Sequence, residues 1–195
     1  MASTPTTAAA PRPMRADARR NRERILTAAR ELFAAGPPEV QMDDLARRAG
    51  VGVGTVYRHF PDKEALMGEL VRERFEQFNE RLRLALADTA ADPFDALADA
   101  LRANAAIMAE DAATRFAFMR GGERVFAHAA DESEELMRLT RTLVRRARRA
   151  GRLAPGFDAE DVPMLMCGVC ATADQPKPGW DWRRHLELVI RGIRA

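Results

Sequence analysis

Apolar positions along this chain recur with the spacing of helices. Ile25, Ala28, Ala29, Leu32 and Phe33 stand at i, i+3, i+4, i+7 and i+8, which predicts an amphipathic helix over 17–35. Gly36-Pro-Pro38 ends it. Leu45, Ala46 and Ala49 share one face of a short second helix, which Gly50 stops because glycine takes the left-handed exit conformation. Val51 fills the corner, and a third short helix over 53–59 turns Val56 and Phe60 inward. Asp62 caps a longer helix whose stripe of Met67, Val71, Phe75, Phe78, Leu82 and Leu86 runs to about 87. Asp92-Pro-Phe-Asp95 combines a capping Asp, Pro at the first helical position and acid in the first turn. Phe94, Leu97, Ala98, Leu101, Ala105 and Met108 carry that helix to about 110. Residues 112–129, broken by Gly121 and Gly122, read as two short helices. Leu136, Leu139, Leu143, Val144 and Ala147 give a helix over 134–150, with its arginines outward and Gly151 at its end. Asp158 opens another to Ala173, and Trp180–Arg194 is the last. The expected fold class is all-α.

The outer face of the 53–59 helix carries the chemistry. Val53, Gly54, Thr55, Tyr57, Arg58 and His59 are small, aromatic or basic, and they sit on the second helix of a helix-turn-helix, the element that enters a major groove. Gly54 permits close approach, and Tyr57 suits a thymine methyl or a phosphate. Arg58 is the one long donor placed to read guanine bidentately, although a phosphate contact would use the same group.

Ala49-Gly-Val-Gly-Val-Gly-Thr-Val-Tyr-Arg-His-Phe60, followed by Lys63-Glu-Ala-Leu66, resembles the signature of the TetR (tetracycline-repressor-like) family of bacterial transcriptional regulators over roughly residues 18–70. The resemblance implies an all-helical homodimer with an N-terminal three-helix DNA-binding domain over 17–66 and a C-terminal effector-binding and dimerisation domain over 67–195. It also implies that His59 and Lys63 hold phosphates. Two positions depart from the pattern. Gly52 stands where Ser usually caps the recognition helix, a small loss. Gln41 stands where Thr commonly caps the preceding helix and touches phosphate; Gln reaches a phosphate but caps poorly, and Asp43 and Asp44 compensate through the helix dipole.

Charge sharpens this picture. Net charge is only +2, yet residues 1–65 hold 11 Lys/Arg against 8 Asp/Glu. Arg12, Arg15, Arg19, Arg20, Arg22 and Arg24 are opposed only by Asp17 and Glu23, a basic arm suited to phosphate or minor-groove contact. Residues 1–16 read as a disordered basic tail without the basic front and apolar core of a secretory signal. No apolar run approaches the ~18 residues of a membrane span, so a cytoplasmic protein is expected.

The C-terminal half offers binding surfaces but no catalytic motif. Met108, Phe116, Met119, Phe126 and Met137 would line a pocket for a small apolar or aromatic effector, or simply fill a core. Met164-Leu-Met-Cys-Gly-Val-Cys-Ala171 is apolar all round and needs cover on more than one side. With the last helix it nominates Leu165, Val169, Trp182, Leu186, Val189 and Ile190 for an interface between copies, against the alternative of burial within one chain. Cys167 and Cys170 form a CxxC inside an apolar helix, where two small core residues are the better account than redox or metal sensing. No Walker loop, dinucleotide turn, HExxH or nucleophile elbow occurs, so no cofactor, metal or enzymatic activity is expected. The function expected is a ligand-responsive repressor acting on a near-palindromic operator. An effector-free DNA-binding module and a sensor using Cys167 and Cys170 are the alternatives.

Overall fold

A computed structural model describes residues 12–34, 40–175 and 177–195. Ten helices follow in order among the described residues: α1 (Arg12–Ala34), α2 (Met42–Ala49), α3 (Val53–His59), α4 (Lys63–Ala87), α5 (Pro93–Glu110), α6 (Ala112–Arg120), α7 (Gly122–Ala127), α8 (Ala130–Arg149), α9 (Asp161–Asp174) and α10 (Trp182–Gly192). No strand occurs among them; Leu153 and Arg194 form one isolated bridge.

Helix α1 begins at Arg12, so residues 12–16, expected in the tail, are helical. The apolar stripe takes its period from Ile25 onward and is silent about an extension over 12–16. Residues 1–11, and the expected stop at 36–38, lie outside the described residues. Helix α8 likewise starts at Ala130 rather than near 134, with Asp131 and Glu132 in its first turn where the dipole favours acid.

The turn between α2 and α3 is built as its residues dictate. Gly50 takes φ 62°, and the Gly50 and Val51 amides donate to the carbonyls of Arg47 (3.3 Å) and Ala46 (3.0 Å), closing α2. Neither Gln41 nor Gly52 caps its helix through a side chain. Asp62 caps α4 by accepting the Ala65 amide at 2.7 Å, and Asp92 caps α5 by accepting those of Phe94 and Asp95.

Two apolar clusters meet along α4. The first joins Ile25, Leu26, Phe33, Leu45, Val56, Phe60, Leu66 and Leu70 to Phe75, Met108, Ala117 and Val125. It therefore continues past residue 66: Phe33 of α1 stacks on Phe116 of α6 at 5.3 Å. The second joins Leu82, Phe94, Leu97, Leu101, Leu143 and Val144 to Val169, Leu186 and Ile190. Where α4 crosses α7, Gly68 presents no side chain, and a Cβ there would lie 2.5 Å from that of His128. Two largely buried charged groups tie elements together. Asp111 accepts from the Thr114 amide (3.0 Å) and hydroxyl (2.7 Å) and pairs with Arg74 of α4. Arg115 donates to the carbonyls of Met108 and Ala109 and to Asp174 (3.1 Å), tying α6 to α5 and α9.

Candidate nucleic-acid interface

Helix α3 is anchored by Val56, fully buried, and by Phe60 just beyond its end. That fixes its other face outward. Val53 is 39% and Tyr57 49% exposed, large apolar groups left in solvent on a helix of seven residues. Gly54 is exposed, with no atom within 4 Å of where a Cβ would stand, so nothing obstructs approach to the helix surface there. Gln41, just ahead of α2, is also exposed, while Thr55 is half-buried.

Arg58 is exposed but folded back on its own helix. Its Nε donates to the Gly54 carbonyl at 3.0 Å and an Nη to the Thr55 hydroxyl at 3.1 Å. Base reading requires the side chain to exchange these contacts for a base edge. His59 is half-buried, and burial together with the nearby Arg22 and Arg58 guanidiniums holds its imidazole below the usual value of 6.5. At neutral pH it is therefore a neutral ring able to donate one hydrogen bond. Lys63 opens α4, its ammonium 5.6 Å from the centre of the Phe33 ring.

The arginines of α1 do not form a uniform arm. Arg22 pairs with Glu69 and Glu73 of α4 and stands 5.5 Å from the centre of the Phe60 ring. Arg24 donates to the Gly50 carbonyl at 3.0 Å, Arg20 pairs with Asp17, and Arg19 lies 3.8 Å from Glu23. The expected arm is corrected accordingly: Arg22 and Arg24 hold the module together, because at those positions α1 faces α4 and the helix-turn-helix corner. The sequence missed the network beyond them. Glu69 bonds Arg22 and Arg72, and Arg72 lies 3.3 Å from Glu132 of α8. Those pairs hold Glu69 below the ordinary carboxylate value against the opposing effect of burial. On the other side, Arg124 of α7 lies 3.1 Å from the capping Asp62. The i, i+3 spacing of Glu69 and Arg72 and the i, i+4 spacing of Arg72 and Glu76 were the local signals.

The residues nominated for an effector pocket separate. Met108 is buried in the first cluster, Phe116 stacks on Phe33, and Phe126 meets Phe118 edge-on at 5.3 Å. Met137 is half-buried and Met119 is exposed. Among the residues nominated for an interface, Val169 (1% exposed), Leu186 and Ile190 are corrected: they are buried in the chain's own second cluster, and atoms already removed from water cannot be covered again by a partner. Leu165, Trp182 and Val189 keep partial exposure. Met164 (66%) and Leu188 (53%), which were not nominated, are the large apolar groups exposed on α9 and α10. The two cysteines differ. Cys170 is buried, which pushes its thiol up to about 11, whereas Cys167 is exposed.

Comparison with known proteins agrees with this geometry. The profile of the bacterial regulatory proteins of the tetR family matches residues 25–70, and that of the SbtR-like transcriptional regulator C-terminal domain matches 92–195. An HTH-type transcriptional regulator of Staphylococcus aureus (strain USA300) is 39% identical over 66 residues. That match spans 33% of this chain and only 36% of the relative's length. A TetR transcription regulatory protein from Mycobacterium vanbaalenii has the same fold with TM-score 0.59 and 30% identity, over 94% of this chain and all of that one. FadR of Thermus thermophilus, a TetR-family repressor solved with lauroyl-CoA, is similar with TM-score 0.60 and 26% identity, over 87% of this chain and 91% of that one.

Proposed function

The chain belongs to the tetR family of bacterial regulatory proteins, and from that premise we propose that it is a ligand-responsive repressor acting as a homodimer on a near-palindromic operator. It is a DNA-binding transcription regulator and not an enzyme. The observation that carries the finer reading is the outward face of α3, where Gly54 and Tyr57 stand clear and Arg58 is exposed, on a helix that Val56 and Phe60 fix to the core. Tyr57, Thr55 and Val53 meet the groove and Arg58 reads a base, while His59, Lys63 and Gln41 hold phosphate oxygens. The first turn of α4 adds a favourable dipole for the phosphate at Lys63.

Two copies are needed because a single seven-residue helix reads too few bases. The exposed Met164 and Leu188, flanked by Leu165 and Val189, support α9 and α10 as the surface where copies meet. A small apolar or aromatic effector is supported by the Met- and Phe-rich region around α6 and by the lauroyl-CoA held by the Thermus relative. The working compartment is the cytoplasm, where the chromosome lies. Among the described residues no helix is long and apolar enough to cross a membrane.

Genome-wide recovery of bound DNA tests the reading. A shared motif with twofold symmetry and half-sites about one helical turn apart is expected. Recovery without a shared motif would reject sequence-specific regulation, and a single asymmetric half-site would reject the dimer.

A further inference from the structure

At the end of the molecule remote from α3, the last turn of α4, the loop to α5, the start of α5 and the end of α8 enclose a depression of about 470 Å³. Its floor is apolar: Ala85, Pro93, Ala96 and Leu143. Its rim carries Arg146 and Arg149, three residues apart on one face of α8.

The arginines of α8 are not alike. Arg138, Arg141 and Arg148 each pair with a carboxylate (Glu135, Glu160 and Asp158), while Arg145, away from the depression, bonds the Thr142 hydroxyl at 3.4 Å. Among the described residues Arg146 has only a carbonyl partner, donating to Leu86 at 2.7 Å, which leaves most of its N–H groups available. Among the described residues Arg149 has no hydrogen-bond or ion-pair partner. The carboxylate at the rim, Asp88, is engaged in holding the loop, its Oδ1 accepting the Ala90 and Ala91 amides at 3.0 and 3.2 Å. Two like charges on one helix face beside an apolar hollow repel each other, and an anion seated between them relieves that repulsion. The helix dipole at the end of α8 favours these cations but occupies none of their hydrogen-bond donors.

We infer that this depression binds a small organic carboxylate with an apolar body, its carboxylate bridging Arg146 and Arg149 and its body resting on Ala85, Pro93 and Ala96. The volume falls within the range of small-molecule sites, and an apolar floor with few convergent polar groups is how such sites fix orientation. This site is separate from the Met- and Phe-rich region around α6, and its occupancy does not depend on the oligomeric or regulatory reading above.

The test is titration of the full chain with 1-naphthoate and with its neutral counterpart 1-naphthylmethanol, followed by NMR and calorimetry. Saturable binding of naphthoate is expected, with methyl shifts at Ala85 and Ala96 and weaker binding of the alcohol. Arg149→Gln should weaken naphthoate about tenfold or more, the loss of a charge-assisted hydrogen bond, while Arg149→Lys should retain most of the affinity. Arg149 is exposed, so both variants are expected to melt with the parent. Absence of saturable binding, shifts confined to other parts of the chain, or an Arg149→Gln variant that binds naphthoate as the parent does would each overturn the assignment.

Discussion

Arg22 sets its guanidinium 5.5 Å from the centre of the Phe60 ring while pairing with Glu69 and Glu73, so one side chain of α1 holds both the exit of the recognition helix and the first turns of α4. Arg22→Gln should therefore destabilise the fold by about 1–3 kcal/mol, since it leaves a largely buried Glu69 with one partner fewer. It should also let the His59 pKa rise, because the Arg22 charge is one of the causes that depress it. Urea denaturation and an NMR pH titration of His59 read the two effects. An unchanged stability together with a lower salt dependence of DNA binding would make Arg22 a phosphate ligand instead.

Arg58→Ala should relax base preference at one position in each half-site, at a cost of about 1–3 kcal/mol on the preferred sequence. A uniform loss across sequences would assign Arg58 to a phosphate. Lys63→Ala should weaken all sequences about equally and lower the salt slope by roughly one unit. Competition binding against a randomised operator, repeated over a salt series, separates these outcomes.

A phosphate beside His59 should raise its pKa on binding, so proton uptake accompanies complex formation. The free value lies below 6.5 and the bound value above the free one. Operator affinity should then increase as pH falls from about 8 toward 6, and His59→Gln should flatten that dependence. A His59→Gln variant with the parent's pH profile would exclude His59 from the contact.

Asp111 caps α6 and pairs with Arg74 under cover, and its carboxyl is held below the ordinary value of 3.8 by the Thr114 and Arg74 contacts against the opposing effect of burial. A depressed carboxyl stabilises the fold above its unfolded pKa and loses that contribution as pH falls through the folded one. Asp111→Ala should cost about 3 kcal/mol at neutral pH by stranding Arg74. The parent should lose stability more steeply than the variant below about pH 4. Parallel acid slopes in thermal melts would contradict this.

Met164→Glu and Leu188→Glu should give folded monomers with weak operator binding, whereas Val169→Glu should unfold the chain because Val169 is buried in its own core. Sedimentation and circular dichroism distinguish the three. Cys167 should react with iodoacetamide faster in the monomeric variants than in the parent. Cys170, with its thiol pushed up to about 11, should stay unmodified until unfolding. Dimers that persist in both Met164→Glu and Leu188→Glu would move the interface elsewhere.

The helix order was legible because most stripes keep one period: Phe94, Leu97, Ala98, Leu101, Ala105 and Met108 are all buried. The outward face of α3 was legible for the same reason, Val56 being its one buried residue. Periodicity says that a residue wants cover but not which neighbour supplies it. Hence Val169, Leu186 and Ile190 read as interface when their own chain covers them, and Met164 and Leu188 were passed over. Arg22 and Arg24 looked like their neighbours Arg19 and Arg20, because facing Glu69 or the Gly50 carbonyl depends on partners at least 26 residues away. The helix starts at Arg12 and Ala130 lie ahead of the first periodic apolar positions, so the stripes did not mark them.

The crossing of α4 and α7 at Gly68 has a mechanical meaning. Gly68 has no side chain and His128, just past α7, is set against the α4 backbone, so closer approach is blocked there, and a tilt of α4 would pivot at this contact. Along the axis of α4 it lies about 8 Å from Lys63 but about 28 Å from Ala87, at ~1.5 Å per residue. A tilt about that point moves the Lys63 end in the direction opposite to the Ala87 end and by about a quarter of the distance. The arms are unequal in favour of force. A large displacement at the far end would become a small one, with greater force, beside the recognition helix, and Gly68→Ala, whose Cβ would stand 2.5 Å from that of His128, would push this contact apart.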